Sequence, residues 1–136
     1  MFKLVKILGG STNTPDPIKM TYGTGDTFYR GEAITFTDCG AQHCEEDVVP
    51  TYIAIKTDDQ TPDQIYCYRI TPNMVFRTKL PFEALTMYEG QKLCLHVDKN
   101  GHAISVAPDS EPSVCNATVY RIYGLEKGSE VDITFN

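Results

Sequence analysis

Residues 88–107 read Tyr-Glu-Gly-Gln-Lys-Leu-Cys-Leu-His-Val-Asp-Lys-Asn-Gly-His-Ala-Ile-Ser-Val-Ala. Leu93, Leu95 and Val97 alternate with Cys94, His96 and Asp98, the period-two pattern of a strand with one buried face. Asp98-Lys99-Asn100-Gly101 then supplies turn chemistry, because Asn and Gly accept positive φ at low steric cost. Ile104 and Val106 carry the alternation back. The stretch predicts a β-hairpin whose apolar face meets a core.

Working outward, the opening Gly90-Gln91-Lys92-Leu93 has two echoes, Gly31-Glu32-Ala33-Ile34 and Gly128-Ser129-Glu130-Val131. In each, a glycine precedes two mostly polar residues and then alternating apolar ones. Glycine bends the chain where it turns into a strand, as at the corners of small barrels. Val131, Ile133 and Phe135 share one strand face, so they join Leu93, Leu95, Val97 and Ile104 as predicted core. Val, Ile and Thr number 34 against 14 for Leu plus Ala, a balance that suits pleated sheet better than helix. The expected fold is all-β: a small β-barrel or β-sandwich of short strands, with an extended N-terminal arm and at most short helical turns. Thr71-Pro72-Asn73-Met74 and Pro81 to Met87 are the places for such turns.

A chain of 136 residues is one domain by length. We divide it into an N-terminal strand and arm over 1–17 and a single β domain over 18–136. A net charge of −6 argues against nucleic-acid binding, which needs a basic patch to displace phosphate counterions, and against anionic lipid. No long apolar run or signal-peptide pattern is present, so neither membrane spanning nor secretion is expected. Cys39, Cys44, Cys67, Cys94 and Cys115 form an odd, irregularly spaced set, which points to free thiols and synthesis in a reducing cytoplasm.

Phe2 to Leu8 mixes Lys with Leu, Val and Ile and reads as a strand. Gly9 to Pro17, with two prolines and almost nothing to bury, reads as an extended spacer. Two arrangements follow: Phe2 to Leu8 adds a strand to a neighbouring chain, or it pairs within its own barrel. Gln64 to Ile70 is apolar on both faces, so it is central or offers Tyr66 and Tyr68 to a partner.

Chemistry is sparse. Cys39, His43 and Cys44 invite a zinc reading, but no second ligand pair follows with recognisable spacing, and a solvated loop is the expectation. Asp58, Asp59 and Asp63 lack the glycine and terminal glutamate of a calcium loop. Cys94 and His96 share a strand face, yet lie ~6–7 Å apart by strand rise, and no orienting carboxylate is evident. His96 and His102 flank the hairpin turn and fall near each other across it. No catalytic, cofactor-binding or metal-ligating residue is assigned, and no enzyme activity is expected.

The order Lys3 to Pro15, Pro50 to Ala54, Tyr68 to Phe76, Gly90 to Val97 and Gly128 to Phe135 resembles the small auxiliary or head-decoration proteins of tailed bacteriophages and gut-bacterial prophages. The loop from Cys39 to Asp47 has no counterpart in that resemblance. The resemblance implies a non-enzymatic protein that binds the outer surface of a capsid lattice and stabilises it. It would be a homo-oligomer, a trimer for instance, made in the bacterial host cytoplasm and residing on the virion exterior. Its partner is then the major capsid protein, with Phe2, Leu4, Ile7, Asn13, Pro15, Tyr66 and Tyr68 as contact residues. Alternatives are another virion component (a head-fibre base, connector or tail accessory) and a small cytosolic ligand-binding barrel or enzyme using the Cys94/His96 face.

Overall fold

In the computed structural model, which describes residues 1–9, 15–21, 27–38, 40–57, 64–84, 86–108 and 115–135, the chain forms two antiparallel sheets. One of them curls into a half-barrel. Among the described residues there are eleven short strands and no helix. The six-stranded sheet runs β1 (Lys3–Ile7), β7 (Met74–Lys79), β11 (Glu130–Phe135), β10 (Ala117–Ile122), β8 (Lys92–Val97), β9 (Ala103–Ala107). The five-stranded sheet runs β2 (Ile18–Thr21), β6 (Gln64–Arg69), β5 (Tyr52–Thr57), β3 (Ala33–Thr37), β4 (Gly40–His43). The Thr71–Met74 segment makes only a turn, closed by the Met74 amide on the Thr71 carbonyl at 3.1 Å.

The hairpin of β8 and β9 is built as its sequence requires. The Asp98 amide donates to the His102 carbonyl at 2.9 Å, enclosing Lys99, Asn100 and Gly101, with Gly101 at φ 87°. Such a three-residue loop ends in a left-handed residue, the position where glycine avoids a Cβ clash. The Asp98 carboxylate accepts from the amides of Asn100 and His102, each at 2.9 Å. Burial acts to push the Asp98 carboxyl upward, but those two bonds, together with the nearby imidazoles of His102 and His96, hold it below its ordinary range.

Leu93, Leu95, Val131, Ile133 and Phe135 are buried in the larger core cluster, as the alternation predicts. Val97 only packs against that cluster, half-buried. Ile104 is also half-buried: the pairing passes from Val97↔Ala103 to His96↔Ser105, so Ile104 is the extra residue of a bulge. A second cluster, with Met20, Phe28, Ile34, Ile65 and Cys67, lies in the five-stranded sheet. The three glycine-led strand openings share one backbone state, with φ of 81°, 87° and 85° at Gly31, Gly90 and Gly128.

The structure selects one of the two arrangements of the N-terminal segment and corrects the expectation of free thiols. Strand β1 pairs antiparallel with β7 of its own chain, Leu4 opposite Phe76 and Ile7 opposite Met74, so Phe2 to Leu8 is an internal strand and not a strand lent to a neighbour. Free thiols throughout are also ruled out: Cys94 and Cys115 form a disulfide, while Cys44 and Cys67 are free and buried. The bond closes a sequence separation of 21, tying β8 to the segment leading into β10. Loop closure of that length constrains the unfolded chain by about 3 kcal/mol. Urea unfolding with and without a phosphine reductant should differ by that amount, and a Cys94→Ser/Cys115→Ser variant should show no reductant dependence.

Candidate functional site

The strand opening before β3 makes an unusual placement. Tyr29 to Glu32 form a tight turn in which the Glu32 amide donates to the Tyr29 carbonyl at 3.1 Å. Gly31 supplies the positive φ that the third position of a type II turn demands. A Cβ at Gly31 would stand 2.8 Å from the Phe2 carbonyl oxygen, so the N-terminal strand closes directly over this turn. The chain then enters β3 with the Glu32 side chain fully buried.

A carboxylate taken out of water must be satisfied by charge or hydrogen bonds. Glu32 Oε1 accepts from the Tyr29 amide at 3.0 Å and lies 2.5 Å from His102 Nδ1. Its other oxygen, Oε2, lies 2.5 Å from His43 Nδ1. An ionised carboxylate only accepts, so both imidazoles face it with protonated Nδ1. His43 sits at the end of β4, held by the Ile34↔His43 pairing. His102 leaves the β8–β9 turn, its backbone fixed by Asp98. The two sheets therefore meet on one carboxylate.

Aromatic rings hold the imidazoles in place. Tyr29 stacks on His102 with centroids 3.6 Å apart, and Phe28 stacks on His43 at 4.5 Å. The imidazoles stand nearly perpendicular, 85° apart with centroids at 5.0 Å. His102 is buried, whereas 34% of the His43 side chain remains exposed, so the cluster reaches solvent on the His43 side. The Cys44 thiol next to it is pushed up to about 12, by burial and then by the Glu32 charge. At neutral pH it is a protonated thiol and no nucleophile.

The predicted groupings fare unevenly. Cys39 lies outside the described residues; His43 turns to Glu32, and Cys44 is buried. His96 packs against Phe82 with centroids at 5.5 Å, while His102 joins Glu32, so the structure pairs His102 with His43 and not with His96. Cys94 has no free thiol, which withdraws the Cys94/His96 arrangement as a catalytic pair. Among the proposed contact residues, Phe2 is also withdrawn: its ring is buried against Phe135, centroids 5.3 Å apart. Leu4 and Ile7 are half-buried against the core, Pro15 is half-buried, and Asn13 lies outside the described residues. Tyr66 and Tyr68 are half-buried on β6, the strand between β2 and β5, and Lys19 and Lys56 both lie over the Tyr66 ring. Glu32 was not among the site residues the sequence predicted.

A concavity of about 500 Å³ lies elsewhere, lined by Phe36, Val49, Pro50, Tyr52, Ile70 and Phe135 among others. Phe36 is 49% and Val49 61% exposed at its rim. Comparison of the chain with protein-family models, with curated proteins and with solved structures finds no match.

Proposed function

We propose that the protein is a non-enzymatic phage structural component, a head-decoration protein that binds the outer surface of the capsid lattice and stabilises it. The supporting observation is where the segments carrying the family resemblance fall. Pro50 to Tyr52, Arg69 to Pro72 and Phe135, from three of those segments, line one open groove, and Phe36 and Val49 add exposed apolar surface at its edge. Apolar side chains exposed at the surface, Phe36 on β3 and Val49 on the segment before β5, suit docking on a protein lattice. On this reading the partner is the major capsid protein, the protein acts as a homo-oligomer on the virion exterior, and it is synthesised in the host cytoplasm. A role as another virion component uses the same groove.

Sedimentation with capsids that lack the protein tests this. The folded wild type should pellet with capsids, and Phe36→Asp/Val49→Asp, altered only at exposed positions, should bind at least about 10-fold more weakly. A wild type that stays in the supernatant overturns the proposal. The alternative of a small ligand-binding protein or enzyme loses its Cys94/His96 site to the disulfide.

A further inference from the structure

We propose that Glu32, His43 and His102 form a binding site for one divalent transition-metal ion of the zinc type, which clamps the two sheets together. One ligand atom from each residue lies within 4.8 Å of the other two. An ion bonded at about 2.0–2.1 Å in tetrahedral geometry spaces its ligands by roughly 3.3 Å, so the Nδ1–carboxylate contacts must widen by under about 1 Å and the widest ligand spacing must close by up to about 1.5 Å. The ion takes the place of the protons that now bridge the carboxylate to the rings.

The ligand set decides the class of ion. Two imidazoles and one carboxylate suit zinc and its neighbours in the first transition row, whereas calcium and magnesium prefer oxygen alone. Three protein ligands leave a fourth position open, and the cluster reaches solvent on the His43 side.

The surroundings have the features of an ordered metal shell. Tyr29 donates its amide to the carboxylate and stacks on His102, Phe28 stacks on His43, and Asp98 fixes the His102 backbone. Such outer contacts set ring orientation and raise affinity. The fully buried Glu32 supplies the reason for an ion: a carboxylate out of water needs a counter-charge, and the two imidazoles that face it are themselves metal ligands. A divalent cation neutralises the carboxylate outright. Because His102 comes from the six-stranded sheet and Glu32 and His43 from the five-stranded one, the ion acts as a staple across the fold.

The test uses the full chain, stripped with chelator, titrated with Zn²⁺ and dialysed. Elemental analysis should give about one zinc per chain, and saturating Zn²⁺ should raise Tm by roughly 5–10 °C. His43→Ala, at a partly exposed position, should fold and lose Zn²⁺ affinity by more than about 100-fold, beyond the loss that outer contacts alone produce. His96→Ala should bind as wild type does. Co²⁺ in place of Zn²⁺ should give visible d–d absorption in the wild type and none in His43→Ala. Substoichiometric zinc in the folded wild type overturns the proposal, as does zinc retained equally by His43→Ala.

Discussion

A chain beginning at Ile18 is expected to be unfolded. Removing residues 1–17 takes away β1, an edge strand of the six-stranded sheet, and with it Phe2, which is 4% exposed. Burying a Phe side chain contributes about 2–3 kcal/mol, and the half-buried Leu4 and Ile7 roughly 1 kcal/mol each. Deletion also strands backbone groups that now bond within the chain. The Phe2 amide donates to the Gly31 carbonyl at 2.8 Å, and the Leu8 amide donates to the Asn73 carbonyl at 2.7 Å. The apolar loss alone approaches the lower end of the ~5–15 kcal/mol that holds a domain folded. Circular dichroism and amide dispersion in NMR read the outcome. A truncated protein that unfolds cooperatively and keeps its sheet signal would show that β1 is dispensable. If it also failed to bind capsids, the strand would be an intersubunit arm after all.

The second large effect is expected at Phe76→Ala, about 3–5 kcal/mol in denaturant unfolding. Phe76 is fully buried on β7, opposite Leu4 of β1 on one side and Ile133 of β11 on the other. Its ring centroid lies 5.7 Å from that of Phe135. Two neighbouring strands hold the site, so it cannot collapse freely around a missing ring, and the cavity penalty adds to the lost transfer energy. Tyr88→Ala, 66% exposed, is the control and should move stability by no more than about 0.5 kcal/mol. Equal effects at the two positions would contradict the assigned core.

The Arg77–Asp132 pair shows another part of β7 working differently. Arg77 Nε donates to Asp132 Oδ1 at 2.8 Å across the strand pairing, and the Tyr123 hydroxyl donates to Asp132 Oδ2 at 2.8 Å. Burial pushes the Asp132 carboxyl upward, but these bonds win and hold it below its ordinary range. The β7–β11 seam is therefore apolar around Phe76 and charge-paired beside it.

Local pattern was enough for much of the fold. Alternation at Leu93 and Leu95, and at Val131 and Ile133, identified buried strand faces because side-chain direction along a strand has period two whatever lies across it. Asp98 to Gly101 specified its turn through contacts spanning a few residues. Glycine-led openings were legible because positive φ is a local demand. Where strands docked, local pattern was insufficient. The composition of Phe2 to Leu8 was equally compatible with pairing inside or outside the chain, since edge hydrogen bonds do not depend on which backbone supplies the partner.

The site lay beyond sequence reading for the same reason. His43 stands beside Cys39 and Cys44 in sequence, yet its partner is 11 residues away, and that partner's other imidazole is 70 residues on. One trace of Glu32 was present: it falls two positions before the apolar Ile34, on the same side of an extended chain. That spacing places a carboxylate on an inward face but cannot say what satisfies it. Sequence by itself determined an all-β chain, its hairpin and the inward faces of β8 and β11, because these follow from short-range sterics and periodicity. Only the tertiary structure decided that β1 pairs with β7, that Cys94 meets Cys115, and that two sheets join at Glu32, because each is a long-range contact whose partner no local rule selects.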